Sequence, residues 1–385
     1  MKTERKGLFK AAILTMSLVQ MGANGIAPIL AQIGDAFSDA SPTRIQFLMT
    51  FPTIFSLIFT MITAFLSDVI PKKKLAVTGL AVVSAGGGLA VCFHGSLGIL
   101  FLWAAVIGVG IGMVAPVAPG LINESFQGSE KQMMLGLQNS FSTGGGMMMS
   151  FVGGFLALAG WPFGYFVYLI GIPGLVVTLI GLPGDSSTAS EKTKEAPRGK
   201  FRLVIWKEMV IVILLLTAFS SIPANISMLV EERSFGDTSV SGTLSTVFLL
   251  GGLVGGLLYG KIAQRLKRFT STLGSLLLAA GAFVIALAGS VPLALAGCFF
   301  AGFATMVMPA NLAAASRLPG YETLNSALIL SASFIGAFIT PILTSIARAV
   351  SGSSSVTYRF YTTVAAALIL AALTVGFSEK EKDGK

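Results

Sequence analysis

Charge is nearly absent from about twelve long apolar runs and gathers in the short gaps between them. Only 11% of the residues are Asp, Glu, Lys or Arg, against 54% hydrophobic. Residues 11–34 carry no charge, and residues 75–122 carry none apart from His94. A helix crosses the hydrocarbon layer of a bilayer with roughly 20 apolar residues. Runs of this length place the chain in a membrane and exclude a soluble globular core.

The runs lie near 8–33, 45–67, 75–93, 97–122, 133–158, 161–182, 207–230, 238–260, 270–289, 292–315, 322–347 and 356–377. The breaks Gly160-Trp161-Pro162 and Ser290-Val291-Pro292 divide stretches too long for one crossing. With the N-terminus inside, 22 of the 26 Lys and Arg fall on one side. The other side holds Arg44, Arg233, Arg348 and Arg359. This positive-inside bias predicts a multi-pass protein of the cytoplasmic membrane with both termini cytoplasmic. The net charge of +9 is then a topology signal with an affinity for anionic membrane lipids, and loops this short predict no nucleic-acid partner. The basic, then apolar, start to Asn24 runs on too far for a cleaved signal peptide. Cys92 and Cys298 fall in or near spans and read as packing residues.

The largest gap between spans, Gly184 to Arg202, is rich in Ser, Thr, Lys and Glu and reads as a solvated linker. It divides the chain into residues 1–183, a six-helix bundle, a cytoplasmic linker 184–206, and residues 207–385, a second six-helix bundle. The halves echo each other. Met113-Val114-Ala115-Pro116 in the fourth run matches Met306-Val307-Met308-Pro309 in the tenth. Ala64–Ser67 before Lys72–Lys74 aligns with Gly256–Tyr259 before Lys261–Arg268 at nearly the same offset. Two such repeats with a site at their interface form a common transporter plan.

The stretch Ala64-Phe65-Leu66-Ser67-Asp68-Val69-Ile70-Pro71-Lys72-Lys73 resembles the loop pattern of the major facilitator superfamily, with the Asp and paired cations kept and both glycines replaced. Gly136, Gly145, Gly153 and Gly154 are similar to that family's antiporter glycines, but Met149 and Ser150 stand where Gly-Pro is expected. Phe101-Leu102-Trp103-Ala104 lacks the intramembrane Arg of many members. The resemblance implies an all-α polytopic fold of twelve transmembrane helices in two pseudo-symmetric six-helix bundles. It also implies a gate in which Asp68, with Lys72 and Lys73, latches one side. There a carboxylate at a helix end meets a cation or the N-terminus of the eleventh helix near Glu322.

No Asp, Glu, Lys or Arg lies mid-span by this assignment, and His94, the one histidine, sits near the outer end of the third span. Ionisable groups inside a bilayer mark ion or proton paths, so their absence favours a neutral, zwitterionic or amphipathic solute. Neutral polar residues do recur at helical spacing. Ser17, Gln20 and Asn24 share a face in the first span. Gln138 and Asn139 each pair with a hydroxyl four residues on in the fifth, and Thr217, Ser221 and Asn225 recur in the seventh. Gln20, Asn24, Gln138, Asn139, Ser221 and Asn225 are the candidate substrate contacts, since amides both donate and accept. Interhelical packing is the competing use of such groups.

These residues predict a secondary active transporter that moves a small organic solute by alternating access, as a monomer, with a coupling proton or ion where transport is coupled. An organic-anion carrier using Arg44, Arg348 and Arg359 is the alternative substrate reading. A channel or a transporter-like receptor is the alternative of another class. No GxxxxGK[ST] loop, metal cluster or intramembrane catalytic constellation is present in the sequence, so no cofactor, metal or enzyme activity is expected.

Overall fold

The computed structural model describes residues 3–40, 42–67, 69–183, 201–236, 238–314, 322–352 and 355–380. Among them no strand occurs. The helices are α1 (Thr3–Ser17), α2 (Leu30–Ala36), α3 (Pro42–Leu66), α4 (Lys72–Cys92), α5 (Leu97–Val114), α6 (Val117–Ser125) and α7 (Gly128–Leu156). They continue as α8 (Gly171–Gly181), α9 (Phe201–Glu232), α10 (Thr238–Leu266), α11 (Thr270–Leu287) and α12 (Val291–Gly302). The last are α13 (Val307–Ala314), α14 (Glu322–Ser351) and α15 (Val356–Lys380). Eleven helical segments among the described residues are long and apolar enough to cross a membrane. The twelfth run is the first, and it is not the continuous helix predicted over 8–33. It breaks after Ser17 and resumes as a 3-10 stretch, Gly22–Ile29, before α2. Gly22, Gly25 and Pro28 all favour the break, because glycine weakens a helix and proline lacks the amide donor.

Interrupted helices leave carbonyls without their usual donors, and hydrocarbon supplies none. Side chains fill the gap. Tyr168 Oη donates to Gly22 O at 2.9 Å. The fourth run breaks between α5 and α6, at the repeated Met113–Pro116 motif. Pro116 cannot bond Gly112 O, and Thr60 Oγ1 approaches that carbonyl at 3.4 Å instead. Pro119 cannot bond Ala115 O, and Gln20 Nε2 stands 3.5 Å away. The matching motif in the tenth run also borders an irregular turn, the 3-10 stretch Phe303–Met306 ahead of α13.

Two compact units divide the chain. One comprises Met1–Ser125, Phe141–Pro197 and Leu318–Ser331; the other comprises Phe126–Ser140, Arg198–Arg317 and Ala332–Lys385. Each sequence half therefore gives the opening turns of its fifth long helix, α7 or α14, to the unit built mainly from the other half. A shared packing device repeats inside the units. A Cβ on Gly108 of α5 would lie 2.3 Å from Pro52 O on α3. A Cβ on Gly302 of α12 would lie 1.9 Å from Phe248 O on α10. In both halves the fourth span thus touches the second backbone to backbone, which only a missing side chain permits. The glycines of α7 act likewise: Cβ atoms on Gly145 and Gly153 would lie 2.2 Å from Leu18 O and 2.7 Å from Gly25 O.

At the end of α9, two adjacent charges cap two different helices. The Glu232 carboxylate accepts from Val356 N at 2.6 Å and Ser355 Oγ at 2.5 Å, at the N-terminus of α15. Arg233 Nη2 donates to Ala286 O at 3.1 Å, near the C-terminus of α11, and to Thr357 Oγ1 at 3.1 Å. Each charge has the sign its helix end attracts. Desolvation pushes the Glu232 pKa up, but the Ser355 and Val356 hydrogen bonds and the nearby Arg233 and Arg359 outweigh it and hold it below the ordinary value.

Two outcomes follow from this packing. Gly302→Ala forces backbone apart and destabilises the folded protein by roughly 1–3 kcal/mol, read as a lower unfolding midpoint in detergent. An unchanged midpoint contradicts the close contact. Because the Glu232 pKa is depressed on folding, its stabilisation is complete above about pH 4.5 and is lost as pH falls through the folded-state value. Glu232→Gln should therefore lose less stability than wild type between about pH 6 and about pH 3. Parallel losses in the two proteins count against the cap.

Candidate functional site

Two groups of side chains are candidates: a charged cluster at the lysine-rich ends of the helices, and neutral amides near the helix breaks. The first lies within one compact unit. Lys72, at the start of α4, forms an ion pair with Glu124 at the end of α6, and the two side chains are only 11% and 27% exposed. Lys73 Nζ donates to Leu182 O at 2.8 Å, just past the C-terminus of α8, where a cation is favoured. The opening turns of α14 rest on the same place. Asn123 Nδ2 meets Ser326 Oγ at 3.4 Å, and Ser326 Oγ donates to Glu322 O at 2.7 Å. A Cβ on Gly120 would lie 2.7 Å from Thr323 Oγ1 and 3.3 Å from its Cβ. The Glu322 charge also acts on Glu124. The cluster thus holds two carboxylates against one well-placed ammonium, partly shielded from water. Its integrity depends on the Lys72 partner, because removing one member of a desolvated pair strands the other.

Asp68, the residue singled out for this latch, lies outside the described residues. Of the two lysines named with it, Lys72 meets Glu124 and Lys73 meets the Leu182 carbonyl. Glu124 is absent from the sequence candidates because it is one of several acids between spans, and its pairing with a residue 52 positions earlier has no local signature. Its one available clue is that it ends a run that is otherwise free of charge.

The amides are placed as follows. Gln20 is half-buried beside the α5–α6 break, bonded weakly to Ala115 O at 3.5 Å. Asn24 falls in the 3-10 stretch, and its side chain lies outside the described residues. The α-helical face expected for Ser17, Gln20 and Asn24 does not form, because the helix stops at Ser17. Gln138 and Asn139 are buried on α7, in the other compact unit, at 3% and 9% exposure. Ser221 and Asn225 are buried on α9 and turn toward α15. Ser221 Oγ shares a 2.6 Å hydrogen bond with Thr363 Oγ1. Asn225 Nδ2 donates to Ser221 O at 2.7 Å, and Asn225 Oδ1 accepts from Arg359 Nη1 at 3.0 Å. Arg359 Nη1 also lies 3.0 Å from Met228 Sδ. The structure therefore joins Asn225, a candidate for a neutral solute, to Arg359, a candidate for an anion. Arg44 is exposed, and the Arg348 side chain lies outside the described residues.

Further polar and aromatic groups are placed as follows. Asn311 on α13 is buried, with Nδ2 on Val307 O at 2.8 Å. Glu208 is a buried acid one turn inside the apolar part of α9. Phe51 and Phe55 belong to a ring cluster with Phe47 and Phe101, whose nearest centroids are 5.0 Å apart. Phe248 packs on Phe219 at 4.5 Å. His94 Nδ1 bonds Val91 O at 2.8 Å, and its ring meets Trp161 edge to face at 5.2 Å. Among the described residues no group of three His, Cys, Asp or Glu is placed to hold a metal ion.

Solved structures share this architecture. The human organic anion transporter MFSD10 superposes with a TM-score of 0.79 at 15% identity, covering 97% of this chain and 100% of its own. The proton:xylose symporter XylE gives a TM-score of 0.78 at 13% identity, covering 98% and 96%. The E. coli fucose:proton symporter FucP gives 0.75 at 14% identity, covering 95% and 97%. At these identities the likeness establishes the fold alone. No curated protein matches the sequence. The family model described as Major Facilitator Superfamily matches residues 12–231, more than half of the chain. With its helices, breaks and repeated contacts in place, the chain belongs to the Major Facilitator Superfamily, a family of multi-pass membrane transporters and not of enzymes.

Proposed function

We propose that the chain is a secondary active transporter that moves a neutral, zwitterionic or amphipathic organic solute across the cytoplasmic membrane by alternating access. The lysine-rich ends are cytoplasmic in this reading, and residues 1–183 and 207–385 are the two moving halves. The observation that carries it is the amide-bearing break. Gln20 lies beside the interruption of the first span and reaches the freed Ala115 carbonyl at the interruption of the fourth. Discontinuous helices with exchangeable polar partners are where secondary transporters build solute sites. A solute amide or hydroxyl replaces a 3.5 Å hydrogen bond at little cost. Asn24, Gln138, Asn139, Ser221 and Asn225 complete the proposed substrate contacts. Asp68, Lys72 and Lys73, joined now by Glu124, form the proposed cytoplasmic gate. A proton or ion is the proposed coupling partner; the names of FucP and XylE describe proton symport in those proteins.

An organic-anion carrier using Arg44, Arg348 and Arg359 is the competing reading. The name of MFSD10 describes such a transporter. Against it, the Arg359 guanidinium is already bonded to Asn225. Thermal-shift screening of purified protein across sugars, amino acids, amphipathic drugs and carboxylates separates the two. Stabilisation by an uncharged or zwitterionic solute, weakened in Gln20→Ala and Asn139→Ala, supports the neutral site. Stabilisation confined to carboxylates, and unaffected by those changes, overturns it.

The gate has its own test. Cysteines at Gly120 and Thr323, in a chain with Cys92 and Cys298 replaced by Ser, place Cβ atoms close enough to bridge. Oxidation should form the bond and stop transport of the solute identified above, and reduction should restore it. Full transport by the cross-linked protein contradicts a gate that opens at α6 and α14. Glu124→Gln should lower the transport rate roughly tenfold, about 1.4 kcal/mol on the limiting step.

A further inference from the structure

The α10–α11 turn is an abrupt reversal. α10 ends at Leu266, three residues form a 3-10 turn, and α11 starts at Thr270. The reversal is made by Lys267, which adopts a left-handed backbone with φ of 48°, and Thr270 Oγ1 bonds its carbonyl at 2.8 Å. Cations crowd the approach. Lys261 and Arg265 stand one helical turn apart near the end of α10, and Lys261, Arg265 and Lys267 are all exposed.

Their direction is the informative part. The exposed face of α10 runs through Leu250, Leu257 and Leu258 and continues at helical spacing into Lys261 and Arg265. On α11 the exposed face runs from Phe269 through Leu276, Phe283 and Leu287. In a membrane-spanning chain, exposed leucine and phenylalanine stripes of this kind face acyl chains. The cations are therefore at the end of a lipid-facing stripe, at the depth where it leaves the hydrocarbon.

Nor do the described residues neutralise them. No Asp or Glu occurs between Asp237 and Glu322. Among the described residues Lys261, Arg265 and Lys267 enter no ion pair, whereas Lys72 and Lys73 are taken up by Glu124 and the Leu182 carbonyl. An uncompensated cation cluster under an apolar stripe is complementary to a lipid with an anionic headgroup and acyl tails.

We infer that the α10–α11 turn is a binding site for an anionic membrane lipid, whose headgroup phosphate is held by Lys261, Arg265 and Lys267 and whose tails lie along Leu257 and Phe269. The lipid is a structural partner bound outside any solute path, so the inference stands apart from the transport reading.

The test uses the full-length protein in detergent micelles doped with phosphatidylglycerol or phosphatidylcholine, with unfolding midpoint as readout. Phosphatidylglycerol should raise the wild-type midpoint saturably, and phosphatidylcholine should not. In the Lys261→Gln, Arg265→Gln, Lys267→Gln triple variant the phosphatidylglycerol shift should fall below half. In the charge-preserving Lys261→Arg, Arg265→Lys, Lys267→Arg variant it should persist, which separates lost charge from damaged packing. Equal shifts in wild type and the Gln variant overturn the site. An equal shift with inorganic phosphate alone also overturns it, since tails would then contribute nothing.

Discussion

Hydrocarbon has nothing to offer a backbone carbonyl, and most of this structure answers to that constraint. A straight apolar helix satisfies it automatically. Among the described residues the first, fourth, sixth and tenth spans are not regular α-helix throughout, and in the first and fourth a side chain reaches a carbonyl at the break. The proline pair in the fourth span is the clearest case. Pro116 and Pro119 remove two amide donors, and a threonine of α3 and a glutamine in the break of the first span approach the two abandoned carbonyls. Tyr168 does the same for Gly22. Small residues make such reach feasible, because Gly108, Gly145 and Gly302 let neighbouring backbones come close.

Where the helices end, the problem changes from carbonyls in oil to dipoles in partly solvated ground. The charges set aside by the apolar runs are used there. Glu232 and Arg233 stabilise a helix start and a helix end from adjacent positions. Lys73 serves the end of α8. Lys72 and Glu124 neutralise each other beside the opening turns of α14. The same economy explains why Lys261, Arg265 and Lys267 of the α10–α11 turn stand out: among the described residues they have neither a carboxylate nor a carbonyl to serve.

Most of the fold was legible in the sequence because membrane burial writes a long, coarse signal. Charge-free length marks a span whether or not its helix is regular. For that reason the interruption of the first span escaped: Gly22-Ala23-Asn24-Gly25 is as free of charge as the helix before it. Face arithmetic for Ser17, Gln20 and Asn24 then failed, since it assumed a regular helix. The pair Asn225 and Arg359 escaped for another reason. Periodicity tells which residues share one side of a helix, but it carries no information about which neighbour that side meets. Glu124 belongs to the same class, its partner 52 residues distant. The repeat between halves was readable and had a physical source, in the matched interruptions and in Gly108 and Gly302.

Replacing a main-chain hydrogen bond with a side-chain one has a mechanical result. A backbone amide is fixed to its helix, so a regular helix bends only by stretching or breaking its own ladder. The carbonyls of Gly112 and Ala115 are approached by rotatable groups from other spans, at the outer limit of bonding distance. Such donors can follow a carbonyl through a change of angle. The α5–α6 junction is thus held at these two carbonyls by rotatable side chains and not by its own main-chain ladder.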